Sequence, residues 1–344
     1  MHKLDTALLK ELIDAYGPSG YEYHVRDIIL REMKKYVHDV YIDRFGNLVA
    51  HKKGKGEKIM LAAHMDEVAI MVKEILEDGK IYFSCVGSIE PIALIGQRVA
   101  ILAHKRVCGK GVITFPDLHE AYPIEKMPKM EDLYVDTGLG KEALEKAGVK
   151  VGTYMIPMHG MEFTCDGEFI SGKAMDDRTG CFILIELAKK LKDSSQEMYY
   201  VFTVQEEVGL YGAQTAVELI RPDWGMAIDT TNAEDARKDP TIGIGKGPCV
   251  TVKDSEMISN KCLNDHFEHT SKKYKIPMQF KVDDFGTTDA TRIMMVKGGI
   301  PSTVIGVALR NIHSTITIAS LKDVEWTIEL LYHFLRDPPK VCTM

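Results

Sequence analysis

From Gly172 onward the apolar positions switch repeatedly between a helical period and a strand period, and few folds accept that alternation over so long a stretch. Helices are expected over residues 178–191, 211–220, 256–273, 287–296 and 321–335, with strands over 198–205, 224–228, 278–282 and 302–307 between them. Strands that alternate with helices build a mixed, mostly parallel sheet with helices on both faces, so the fold class is α/β. The first 69 residues fit the same layer. Leu4, Leu8 and Leu12, then Val25, Ile28, Ile29 and Met33 after the Gly17-Pro18-Ser19-Gly20 break, mark two amphipathic helices. Strands follow over 40–42, 47–51 and 58–63.

Residues 70–165 break the pattern, with short strands over 69–76, 80–86, 97–103 and 111–115, glycine turns and little helical period. We therefore expect a discontinuous domain, 1–69 with 166–344, interrupted by a β-rich inserted domain over 70–165. The length of 344 residues suits two such units.

Composition removes several functions. A formal net charge of -7 with no concentrated basic face argues against a nucleic-acid partner. No apolar run approaches the roughly 20 residues of a membrane span, and Lys3, Asp5 and Lys10 interrupt any signal-peptide core. The seven cysteines are odd in number and have no paired spacing, so a reduced, cytoplasmic protein is expected.

The chemistry concentrates where apolar strands stop. His64 and Asp66 close one strand, Glu206 and Glu207 follow Tyr199-Tyr200-Val201-Phe202-Thr203-Val204-Gln205, Asp229 follows a third, and His313 lies past the last. Asp176 and Asp177 open the helix that begins near Arg178. Each has a bland role available: a helix cap for Asp176, a turn former for Asp229, a solvated loop pair for Glu206 and Glu207. Together the bland roles fail, because independent caps and turns have no reason to supply two imidazoles and several carboxylates, without thiolate, at the carboxyl edge of one sheet, where ligands of open α/β sheets gather. Such a donor set suits Zn²⁺, Co²⁺ or Mn²⁺ in a catalytic site. Two histidines are too few for two separate sites, so a carboxylate shared by two ions is the economical arrangement, and such ion pairs activate a water. Adjacent glutamates on a strand face opposite ways, so they can divide metal binding from proton handling but cannot flank a glycosidic bond.

Other groups are weaker candidates. His266 and His269 read as a solvated helix face, Gly243 to Gly247 lacks the Lys-Ser/Thr of a phosphate loop, Cys181 reads as core, and the remaining histidines, His2 and His119 among them, have no partner spacing.

The ordered motifs His64-Met65-Asp66-Glu67, Lys173-Ala174-Met175-Asp176-Asp177-Arg178, Glu206-Glu207-Val208-Gly209, Asp229 and Ile312-His313-Ser314 resemble the cytosolic dinuclear metallo-aminopeptidases known as tetrahedral, deblocking or glutamyl aminopeptidases. The resemblance covers nearly the whole chain, including Gly96-Gln97-Arg98-Val99 and Gly245-Lys246-Gly247-Pro248. It implies a zinc-peptidase-like α/β domain interrupted by a β-barrel-like domain that mediates self-association, as dimers that combine into a hollow dodecamer. It also implies two divalent metal ions per subunit, with Asp176 bridging, His64 and Asp229 completing one site, and Glu207 and His313 the other. Asp66 would orient His64, Glu206 would be the general base, and the Asp176–Asp177 peptide would be cis. The chain departs from the family at Ala69, at Ala308-Leu309-Arg310-Asn311 and at Gly286-Thr287-Thr288-Asp289, none of them a ligand, which bears on substrate choice. Removal of N-terminal residues from peptides is the expected activity. The alternatives are a deacylase or carboxypeptidase using the same metal pair, the endoglucanase activity with which members of the family have been labelled, and a catalytically silent assembly subunit.

Overall fold

The structure, a computed structural model, describes residues 4–116, 118, 126–164, 166–235 and 241–341; Met1, His2, His119 and Cys165 fall outside them. The chain opens with α1 (Thr6–Asp14) and α2 (Tyr23–Met33), then β1 (Asp39–Ile42), β2 (Leu48–Lys52) and β3 (Lys58–His64). A second unit follows: β4 (Ala69–Ile75), β5 (Ile81–Val86), α3 (Pro91–Leu94), β6 (Arg98–Ala103), β7 (Arg106–Thr114), β8 (Tyr134–Asp136), α4 (Lys141–Lys146) and β9 (Tyr154–Pro157). The chain returns through β10 (Glu162–Phe163), β11 (Phe169–Gly172), α5 (Met175–Lys190), β12 (Glu197–Thr203), α6 (Tyr211–Ile220), β13 (Trp224–Asn232), β14 (Cys249–Lys253), α7 (Lys261–Tyr274), β15 (Gln279–Val282), α8 (Asp289–Met294), β16 (Ser302–Arg310), β17 (Thr317–Ser320) and α9 (Leu321–Arg336).

The main sheet runs β1-β2-β12-β3-β13-β16-β17-β11-β10, with β14 and β15 branching from β16. Its centre, β12-β3-β13-β16, is parallel, while β1, β2, β17, β11 and β10 add antiparallel flanks. Alternation along β3 and β12 explains why both faces are covered. Ile59, Leu61, Ala63, Tyr200 and Phe202 join the core under α1, α2, α5 and α9, whereas Met60, Ala62 and Val201 point the other way, against Val217 of α6 and Ile293 of α8. Burying side chains such as Leu61 or Phe202 contributes about 1.5–3 kcal/mol each, and neither face could be left to solvent.

The strands β4-β5-β8-β7-β6-β9 close into a barrel around Ile70, Ile81, Val99, Ile101, Ile113, Val135 and Met155. The barrel leaves the main sheet directly after the loop that carries Asp66. Its last strand ends at Pro157, and β10, at Glu162–Phe163, is already part of the main sheet.

Several element boundaries differ from the sequence pattern for local reasons. The helix expected from 256 begins at Lys261, because the Asp254 carboxylate accepts the amides of Glu256 and Met257 and holds residues 254–257 as a turn, and Asn260 then caps the helix by accepting the Leu263 amide. Asp176 and Asp177 have non-helical dihedrals, so regular helix in α5 starts at Arg178, and their peptide bond is cis. The short strands β8, β9 and β17 and helices α3 and α4 carry too few residues to register a period in the sequence. Cys85, Cys108, Cys181 and Cys249 are free thiols, but Cys262 is disulfide-bonded, a departure from the wholly reduced chain that the cysteine spacing suggested. Among the described residues no helix is long and apolar enough to cross a membrane.

Candidate metal centre

Apart from Asp176, each residue of the candidate centre is delivered by a strand of the parallel centre or the turn beyond it. His64 is the last residue of β3, Asp229 lies in β13, and Glu206 and Glu207 follow β12. His313 sits in the turn from β16 to β17, and Asp176 enters across the same edge at the start of α5. Because β12, β3, β13 and β16 are neighbours running the same way, their carboxyl ends form one rim.

Two overlapping groups result: His64, Asp176 and Asp229, and Asp176, Glu207 and His313. Within each, one donor atom per residue lies within 4.8 Å of the others. Asp176 belongs to both. Its Oδ1 is 3.2 Å from His64 Nε2, and its Oδ2 is 3.4 Å from His313 Nε2. Asp229 Oδ1 is 4.0 Å from His64 Nε2, and Glu207 Oε2 is 3.8 Å from His313 Nε2. Glu206 belongs to neither group, and its Oε2 is 4.0 Å from His64 Nε2. The His64 side chain is 3% exposed and that of His313 45%, so the centre has a closed end and an open mouth.

The charge balance argues for cations here. Four carboxylates, Asp176, Glu206, Glu207 and Asp229, crowd around two imidazoles. Burial raises Glu207 to about 8 and Asp229 to about 7, and the neighbouring Asp176 charge pushes each further the same way. Glu206 is also driven far above the carboxylate range by burial, opposed by His64. Burial works against the charge on Asp176 as well, but there the hydrogen bonds from His313 and His64 win and hold it far below its ordinary value. His313 rises to about 9, chiefly through Asp176. Carboxylates that resist losing their protons beside a strongly ionised one mark a pocket with too little positive charge for all of them to ionise, and this oxygen and imidazole donor set fits divalent cations.

Asp66 contacts more than the His64 ring. The ring Nδ1 faces the Asp66 backbone carbonyl at 3.2 Å and its carboxylate Oδ1 at 3.5 Å. The same carboxylate accepts the backbone amides of Glu206 at 3.0 Å and Glu207 at 3.1 Å, and the Ser19 hydroxyl at 2.6 Å. One buried side chain thus fixes the imidazole and the backbone of the glutamate pair together.

A second brace escaped sequence reading. Glu67 binds Lys173 Nζ at 2.7 Å, Arg178 Nη2 at 3.2 Å and the Gly17 amide at 2.8 Å. Arg178 also donates to the carbonyls of Met65, Leu12, Ala15 and Gly17. Both motifs were visible in the sequence, yet the partners are mostly backbone oxygens from distant segments. Thr203 and Asp289 form another buried pair, at 2.6 Å, behind the centre.

The weaker candidates resolve simply. His266 Nε2 lies 2.8 Å from the Asp337 carbonyl, the amides of Gly245 and Gly247 bind the Asp323 carboxylate of α9, and Cys181 is fully buried. His64, Asp176, Glu206, Glu207, Asp229 and His313 all line one cleft of about 480 Å³, which the barrel also reaches through Ser88.

Residues 46–330 match the family model of M42 glutamyl aminopeptidases. The chain belongs to the M42 aminopeptidase family. A putative aminopeptidase of Acetivibrio thermocellus is 36% identical over 326 residues, covering 94% of this chain and 96% of that protein. Among solved structures, a TET aminopeptidase from Thaumarchaeota archaeon SCGC AB-539-E09 superposes with a TM-score of 0.92 at 34% identity, covering 97% of both chains. The TET1 peptidase of Pyrococcus horikoshii, described as assembling into a tetrahedron or a large octahedral shell, superposes with a TM-score of 0.87 at 28% identity over 96% of this chain and 99% of its own. Like the relatives named for that activity, this M42 protein is a hydrolase of peptides.

Proposed function

We propose that this M42 aminopeptidase removes N-terminal residues from peptides with a pair of divalent ions, Zn²⁺ first and Co²⁺ or Mn²⁺ as alternatives. The observation that carries the reading is Asp176, whose two carboxylate oxygens face two different histidines, each with a further carboxylate beside it. His64 and Asp229 would hold one ion, Glu207 and His313 the other, and Asp176 both. Ions held there would supply a water of lowered pKa and polarise the scissile carbonyl. Glu206, left outside both groups, takes the proton of the attacking water and returns it to the departing amine. Asp66 keeps the His64 ring and the Glu206 backbone in fixed relation while that proton moves. The closed end at His64 suits a chain terminus better than the middle of a polypeptide. Self-association through the barrel, up to a dodecamer, and a cytoplasmic location complete the reading.

Metal analysis with a substrate panel tests it. Two ions per subunit and cleavage of aminoacyl-anilides and free-amine peptides are expected, with loss of cleavage on Nα-acetylation. Preference for acetylated or C-terminally cleaved substrates would replace the aminopeptidase reading by deacylase or carboxypeptidase action. Purified protein with bound metal and no hydrolysis of any of them would leave an assembly subunit.

A further inference from the structure

The segment between β12 and α6, which carries Glu206 and Glu207, can be accounted for one backbone group at a time. The carbonyls of Val204, Gln205 and Glu206 accept amides of residues 209–212, just ahead of α6 and in its first turn. The amides of residues 204–207 are instead all taken by side chains from other segments. Asn47, ahead of β2, accepts that of Val204 at 3.1 Å, and Asp66, beyond β3, accepts those of Glu206 and Glu207 at 3.0 and 3.1 Å. The remaining amide, of Gln205, goes at 3.2 Å to Oε1 of Glu22, immediately ahead of α2.

Glu22 is 5% exposed, and the same oxygen accepts the Gly20 amide of its own loop at 2.7 Å. A cap for that loop alone would not require a carboxylate buried within reach of the Asp66 charge, where desolvation is costly. The backbone it holds is the unusual one. Gln205 has a φ of +55°, a left-handed conformation that a non-glycine residue keeps only where its surroundings enforce it. The next residue is Glu206, whose carboxylate takes no hydrogen bond from any described residue, so its direction is set by the backbone that bears it.

We propose that Glu22 is a positioning residue for the general base: by holding the Gln205 amide it fixes the left-handed turn into Glu206, and with it the place where the Glu206 carboxylate meets the attacking water. The inference rests on the general-base reading of Glu206 above. Asp66 holds the two amides beyond the turn, whereas Glu22 holds the turn itself. Ser19, which donates to Asp66 at 2.6 Å, belongs to the same loop between α1 and α2, so both carboxylates are referred to one segment that carries no proposed ligand. Displacing a reacting group by about 1 Å can cost on the order of 10²-fold in rate, so a turn released at Gln205 has a kinetic signature.

The test is a double-mutant cycle on the metal-loaded enzyme, with the anilide that the wild type cleaves fastest. Glu22→Leu removes the acceptor, and kcat should fall about 10- to 100-fold with KM within about twofold and metal content unchanged. Glu22→Gln keeps an acceptor oxygen and should restore most of the lost turnover. In the Glu206→Gln background, Glu22→Leu should cost less than about twofold, because no base is left to misplace. Equal losses in both backgrounds, loss of metal from Glu22→Leu, or an unchanged kcat overturns the assignment and leaves Glu206 as the base. Full turnover in Glu206→Gln alone removes the general-base reading, and this assignment with it. Should Glu22→Leu not fold, Glu22→Asp, shorter by one methylene or about 1.5 Å, carries the same expectations; if neither folds, Glu22 is a folding residue and the assignment fails.

Discussion

Glu206 and Glu207 are neighbours in sequence with separate surroundings, and substitution can tell them apart. Glu207 Oε2 faces His313 and shares a group with Asp176, whereas Glu206 stands outside both groups. Glu207→Gln should lose metal and recover in part with excess metal. Glu206→Gln should keep its metal and lose at least about 10²–10⁴-fold in turnover, the usual contribution of an acid–base group, with no rescue. Metal analysis beside kcat reads both, and metal lost from the Glu206 variant but kept by the Glu207 variant would reverse the two roles. Glu22 offers a separate pH experiment. Its Oε1 accepts the amides of Gly20 at 2.7 Å and Gln205 at 3.2 Å, and burial, with the Asp66 charge, raises its pKa from 4.5 to about 7. The folded protein holds this proton to higher pH than the unfolded chain does, so it loses relative stability as pH rises from about 4.5 to about 7, by up to about 3 kcal/mol. Glu22→Gln keeps the acceptor and removes the ionisation. Denaturant unfolding at pH 5 and pH 8 should show a smaller loss in the variant, and an equal loss in both proteins would exclude Glu22 as its source.

At the level of elements, the glutamate pair owes its position to the way α6 presses on the end of β12. Asn47 accepts the Val204 amide at 3.1 Å and donates to the Gly212 carbonyl at 3.0 Å, so strand end and helix start share one side chain. A Cβ on Gly212 would lie 2.4 Å from the Val204 carbonyl oxygen and 2.5 Å from Asn47 Oδ1. Gly212→Ala should therefore destabilise by about 1–3 kcal/mol and reduce kcat by shifting residues 204–207; unchanged unfolding and kinetics would mean that this contact has slack. These elements also mark what the sequence could disclose. His64, Glu206 and Asp229 were legible because each follows an apolar run, a local signal, although β13 continues past Asp229 to Asn232. The hub of Glu67, Lys173 and Arg178 was not, since its partners are carbonyls at Leu12, Ala15, Gly17 and Met65 that nothing in those residues' identities announces. The start of α7 was misread because the Asp254 turn competes with helix for the same amides, and one apolar period looks alike in both.

For the whole molecule, the barrel is the part whose role the cleft alone does not explain. Ile92, Val107 and Val112 are exposed on it, and we expect it to carry the contacts of a multi-subunit assembly. Light scattering of the intact protein should give a particle several times the subunit mass, a dodecamer at full assembly. A fully active, stable monomer would exclude the barrel as an essential assembly element. The barrel is not remote from the chemistry, however. Ser88 lines the cleft, a Cβ on Gly87 would come within 3.3 Å of Glu207, and Thr315, two residues beyond His313, donates to the Ala93 carbonyl at 3.3 Å.

The barrel has two roots in the main sheet, and they are not arbitrary places. One leaves immediately after His64, Asp66 and Glu67, and the other returns through β11 into Lys173 and Asp176, with Glu67 and Lys173 bonded to each other between them. Any tilt of the barrel on its footing would thus be a lever whose short arm ends at the residues proposed to hold the metal. A subunit contact made on the outer wall of the barrel would be felt as a change in how tightly the ions are held, so loss of quaternary structure and loss of metal should be one event seen by two instruments.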